Sequence, residues 1–134
     1  MMPWVTPVTD RTEEDILART PKVQWLAENL NRLEGNCVVL AELLGVRVTT
    51  RAWERTDFPT VTQLSRIRGN IDALRQAYRT YATTPQTPDD PLNTWQKWND
   101  AERILADLYD LYNKTLAAIL RLGEGYAGDE IGVI

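Results

Sequence analysis

The sequence predicts an all-α fold. It reads as one domain, a bundle of three long helices with heptad seams plus a short N-terminal helix, an extended N-terminal arm and a Gly-rich C-terminal tail. Three observations lead there. Apolar residues recur at alternating spacings of three and four over three separate stretches, which places them along one face of a helix. Capping residues stand where those stretches begin and glycine or proline where they end. Nearly the same eight letters are written twice, NLNRLEGN at 29–36 and QLSRIRGN at 63–70, 34 positions apart.

In chain order, residues 1–11 form the arm, with Trp4 and two prolines but no core pattern. Thr12 caps a short helix over 12–19, whose acidic start complements the helix dipole. A long helix is expected over 21–44, opened by Thr20-Pro21 and stopped by Gly45. Its seam is Val23, Leu26, Leu30, Leu33, Cys37, Leu40 and Leu44. Residues 46–59 are a polar, β-leaning connection long enough to cross the bundle. Thr60 with Gln63 has capping-box spacing and opens a helix over 61–82, with seam Leu64, Ile67, Ile71, Leu74, Tyr78 and Tyr81. A Pro-rich turn at 83–93 leads to the third helix, 94–122, capped by Asn93 or Thr94. Its seam is Trp98, Ala101, Leu105, Leu108, Tyr112, Thr115, Ile119 and Leu122, with Ile104, Leu111 and Ala118 widening the stripe. Residues 123–134 are the tail. The repeat suggests that three helices enter one core alike. The third copy, WNDAERIL, keeps Asn99 and Glu102 where the first has Asn31 and Glu34. Each unit holds one helix rather than a hairpin, which argues against a solenoid.

Chemistry is hard to find in this chain. There is no histidine, so the commonest general base and metal ligand are missing. Ser65 is the only serine, and Cys37, the only cysteine, sits in an apolar row as a small core residue. The acids Asp107 and Asp110 read as a solvated helix face. We therefore expect no enzymatic activity, no cofactor and no metal. Seven arginines between 47 and 79 stand against three acids, a pattern read as a solvated face, or one pairing with the acidic third helix, with Asp72 spaced to pair Arg68 and Arg75. With a net charge of −4, nucleic acid is an unlikely partner. No apolar run reaches the roughly 18 residues of a membrane span, and the N-terminal residues do not resemble a secretory signal.

Candidate partner contacts lie at the two ends: Trp4 and Val5 in the arm, and Tyr126, Ile131, Val133 and Ile134 in the tail. Tryptophan is enriched at interfaces, and the apolar tail residues follow a glycine hinge. These residues, with the wide third helix, point to self-association or docking on another protein.

Several stretches are familiar together: PWVTPVTDRTEEDI at 3–16, ENLNRLEGN at 28–36, RAWERTDFPTVTQLSRIRGNIDAL at 51–74, and PLNTWQKWNDAERILADLYDL at 91–111. They resemble small virion-structural proteins, tail or baseplate associated, of phages and prophages of Gram-positive bacteria. Arg68 stands where that group's motif usually has glutamate, and the spacer after DRTEEDI is shorter here than in many of its members. The resemblance implies a virion structural or assembly protein that acts through protein–protein contacts. Its partners would be itself, as a homo-oligomer, and other virion proteins. Its place would be the virion, after assembly in the host cytoplasm. It transfers no catalytic residues. The alternative is a soluble helical adaptor or regulator of a phage or prophage, with or without a link to nucleic acid.

Overall fold

Thr12 opens the first helix as a reciprocal cap. Its hydroxyl accepts the Asp15 N–H, and the Asp15 carboxylate accepts the Thr12 N–H. In this computed structural model, which describes residues 3–125, α1 spans Glu13–Ala18, and a single 3-10 turn spans Pro21–Val23. Helices α2 (Ala27–Leu44), α3 (Val61–Ala77) and α4 (Trp95–Gly125) follow. No strand occurs among the described residues, so the chain is all-α.

Three boundaries differ from the expected ones. The helix expected over 21–44 is broken: Thr20-Pro21 opens only the 3-10 turn, and α2 starts six residues later. Asn29 explains the break. Its amide Nδ2 donates to the carbonyls of Pro21 and Gln24 at 2.8 and 2.9 Å, holding the preceding chain off the helix path. The helix expected over 61–82 stops at Ala77, because Tyr78 is extended (φ −142°). Tyr78 still packs on the core. Finally, α4 runs through Gly123 to Gly125, past its expected end.

The core is built from α2, α3 and α4, which touch one another pairwise. Leu30, Leu33, Leu40, Ile67, Ile71, Leu74, Ile104, Leu105 and Leu108 are wholly buried. On this seam α4 departs from expectation, since Ile119 and Leu122 are half exposed.

The three core helices run in the same direction. After α2, Gly45 turns the chain in a left-handed conformation (φ 71°), and residues 46–59 descend again. Thr49 lies beside Arg66 and Asn70 of α3, and Trp53 has returned to Asn31 and Glu34 near the start of α2. Helix α3 then climbs from below that level. The same happens after α3. Thr84 lies beside Asp107, Pro85 beside Arg75, Pro88 beside Arg68 and Leu92 beside Trp98, so the chain descends before α4 climbs. The arm descends too: Trp4 sits on Tyr109, Val8 on Glu102 and Arg11 on Asn99. Each core helix is thus preceded by a descending extended segment that fills the groove between two helices.

These segments are extended but pair with no strand, so side chains must satisfy their backbone. Asparagines do this in the arm and in the 46–59 segment. Asn31 Oδ1 accepts the Trp53 N–H at 2.8 Å while its Nδ2 donates to the Trp53 carbonyl at 2.9 Å. Asn99 holds Arg11 in the same two-bond way, at 3.0 and 2.9 Å, and Asn36 holds Val5, at 2.9 and 2.8 Å. The 34-residue repeat becomes physical here. Asn99 and Glu102 with Arg32 and Asn36 grip the arm, as Asn31 and Glu34 with Arg66 and Asn70 grip the 46–59 segment. In the third groove the corresponding residues are Arg68 and Asp100, opposite in charge to Glu and Arg, and Arg68 instead donates to the Pro88 carbonyl at 2.6 Å.

Candidate functional site

Two places on this frame concentrate unusual chemistry: a pair of buried carboxylates and the far end of α4. Glu102 has no exposed side-chain surface. It accepts from Arg11 at 2.6 Å and from Arg32 at 2.7 and 3.0 Å, while Arg32 also donates to Asn29 Oδ1. Glu34, also buried, accepts from the Trp53 indole N–H and from Arg66. A buried carboxylate with two charge-assisted partners is satisfied and fixed in place. Every buried side-chain nitrogen and oxygen among the described residues has a hydrogen-bond partner. Glu34 and Glu102 are both fully engaged, and the two cradles lock the arm and the connection onto the helices.

Two acids of α4 are also paired. Asp107, expected on a solvated face, is buried and accepts from the Thr84 hydroxyl at 2.6 Å. Asp110 accepts from the Tyr81 hydroxyl and pairs with Lys114 at 3.0 Å, which holds its carboxyl below the usual range. Among the described residues no three acids, cysteines or histidines converge as a metal site. Cys37 is buried in the core, and burial pushes its thiol far up.

The arginine-rich stretch is occupied from within. Arg66 holds Glu34, Arg51 pairs with Asp57 at 3.0 Å, and Arg68 and Arg75 donate to the carbonyls of the Pro-rich turn. Arg79 donates to Thr115. The expected pairing of Asp72 with Arg68 and Arg75 is replaced: Asp72 accepts from Gln76 and Thr87. The turn's descending backbone passes close to those two arginines and takes them as donors.

Clefts are shallow or small. One of about 110 Å³, under Trp25, Trp95 and Trp98, is well below the roughly 300–1,000 Å³ typical of ligand sites. Two larger ones, about 400 and 360 Å³, share Asn31 and Gly35 and flank the outer face of α2 between the arm and Thr50–Ala52. No buried charged group points into them without a partner.

The end of α4 is different. Helices α2 and α3 stop at Leu44 and Ala77, which the 34-residue register places level with residues 111–112 of α4. Tyr78 and Arg79 reach up to Thr115. Beyond that, α4 extends past the ends of α2 and α3. Leu116, Ile119, Leu120 and Leu122 are 43%, 50%, 60% and 50% exposed.

Among the expected contact residues, Trp4 requires a correction. Rather than lying outside the core, it stacks on Tyr109 with ring centroids 3.9 Å apart and packs on the core. Val5 is held by its backbone while its side chain remains 46% exposed. Tyr126, Ile131, Val133 and Ile134 lie outside the described residues. The exposed residues at 116–122 were legible only as part of a wide stripe, because seam spacing does not show where neighbouring helices stop. Compared with protein-family models, curated proteins and solved structures, the chain matches none.

Proposed function

We propose that this chain is a non-enzymatic assembly protein of a phage particle, tail or baseplate associated, which works by presenting the end of α4 to other protein. The observation that carries the interaction reading is the run of half-exposed large apolar residues from Leu116 to Leu122 on a helix that outlasts its neighbours. A folded chain gains nothing by keeping such a surface in water. Most of the remaining chain's polar effort goes into fixing its own arm and connections, which suits a rigid part that must be shaped before it assembles. The particle itself enters through the sequence resemblance. The adaptor or regulator reading is weaker, since five of the seven arginines that suggested nucleic acid already hold internal partners.

The test is made on particles. Mass spectrometry of purified virions should find the protein in fixed stoichiometry, and deletion of its gene should halt tail or baseplate assembly. Complete, infectious particles lacking the protein would end this reading.

A further inference from the structure

We infer that the N-terminal arm is an exchangeable strap: by turning at Arg19 it leaves its own α2/α4 groove and closes the same groove of a second copy of this chain. The inference deepens the assembly reading above and rests on it for biological setting, though not for its physical argument.

Three observations carry it. The first is where the arm is held. Its hydrogen bonds to the bundle join residues 31 to 94 positions apart: Val5 to Asn36, Val8 and Arg11 to Glu102, and Arg11 to Asn99. Trp4 adds its stack on Tyr109. A second copy presents the same groove, so each of these contacts can form between copies as well as within one. The bond from Arg11 Nε to the Lys22 carbonyl, at 2.6 Å, is of the same kind. Lys22 belongs with the groove rather than with the arm, because Asn29 of α2 fastens Pro21 and Gln24 on either side of it.

The second is what joins the arm to the rest of its own chain. Between Arg11 and Thr20 lies α1 with its caps. None of its residues is buried, and Leu17 is 79% exposed. Asp15 ties it onward to Thr20 and Lys22 at 3.2 and 3.3 Å, long contacts that contribute little. A helix of six residues has little stability of its own and unwinds at small cost. Unwound, the stretch from Thr12 to Thr20 spans about 30 Å, more than the roughly 20 Å width of a three-helix bundle.

The third is Arg19. Among the described residues it alone, glycine aside, has a positive φ, at 54°, where it turns the chain out of α1 toward Pro21. That conformation is strained for a residue with a Cβ, and opening into an extended link removes the strain. Exchange therefore keeps the groove contacts, gives up the bonds at the end of α1 and relaxes Arg19. In dilute solution the tether favours the arm's own groove. Copies crowded together remove that advantage.

The experiment refolds the full chain from urea, as an equimolar mixture of isotope-labelled and unlabelled copies, at about 1 µM and at about 500 µM. The dilute sample should return at 15.3 kDa, and the concentrated one should contain a species of twice that mass. Isotope-filtered NMR of that species should show the Trp4–Tyr109 contact running between a labelled and an unlabelled chain. Arg19→Gly relieves the strain without touching the groove, and should lower the exchanged fraction at least about threefold. A concentrated sample that stays at 15.3 kDa overturns the inference. So does a dimer whose Trp4–Tyr109 contact stays within each chain, or an Arg19→Gly chain that exchanges as fully as the wild type. These outcomes are separate from the particle test. A chain that never exchanges but is found in virions would refute the strap and leave the assembly role standing, and exchange by a chain absent from virions would do the reverse.

Discussion

Glu102 of α4 gathers two arginines from the first quarter of the sequence, Arg11 in the arm and Arg32 on α2, onto a carboxylate with no exposed surface. Removing the carboxylate leaves two guanidinium groups buried without their counter-charge. Glu102→Ala should therefore cost about 3–5 kcal/mol in urea unfolding. Substituting the exposed Glu13 should cost under about 0.5 kcal/mol. Asp110 offers a pH test with a definite sign. The Tyr81 hydroxyl and Lys114 lower its folded pKa, so their contribution is present above the ordinary value of 3.8 and is lost as pH falls through the lowered one. The Asp110 carboxyl resonance should titrate with a midpoint below 3.8. Cys37 should react with thiol reagents only as fast as the core opens, a rate that rises with urea. Sequence reading placed Cys37 in the core but missed the buried carboxylates. Glu34 and Glu102 were visible as repeated letters, yet an acid beside a helical seam ordinarily faces water. What buries Glu102 is an arginine 91 positions away, and nothing local announces that pairing.

Among the elements, α1 and α3 were most legible, because a capping box is a local signal and needs no tertiary partner. Thr60→Ala should cost about 1 kcal/mol and fray the start of α3, measured as faster amide exchange at Val61 to Leu64. Less legible was the start of α2, where Thr20-Pro21 carries a good helix signal that Asn29 overrides from within the next helix. The arm was misread for a similar reason. PWVTPVT has no periodicity of its own, since an extended segment clamped by asparagine amides needs backbone rather than a seam. Trp4→Ala should therefore act as a structural change, lowering the melting point and exposing Tyr109. The β-leaning 46–59 connection did come out extended, but as a groove filler between helices. Its polar letters disclose the conformation and leave the neighbours undetermined.

At the scale of the molecule, three parallel helices with descending connections are an arrangement that heptads alone do not specify, because an a/d seam serves either direction equally well. The 34-residue period carried that information: equal spacing between equivalent residues requires each unit to climb and return the same way. The Asn31, Asn36, Asn70 and Asn99 grips then keep the units in step. A chain whose arginines close these grips should bind duplex DNA only weakly, and a fluorescence titration near physiological salt should show no submicromolar affinity. The arm's place has a consequence for how the chain is made. Arg11 and Arg32 are among the earlier residues to leave the ribosome, yet their shared acceptor, Glu102, lies 91 and 70 positions later. Nascent chains that end before α4 would carry an arm with nowhere to lie and two cations without their carboxylate. The fold should thus wait for α4 to emerge rather than build up helix by helix, and nascent chains stalled before residue 95 should remain sensitive to protease along their whole emerged length.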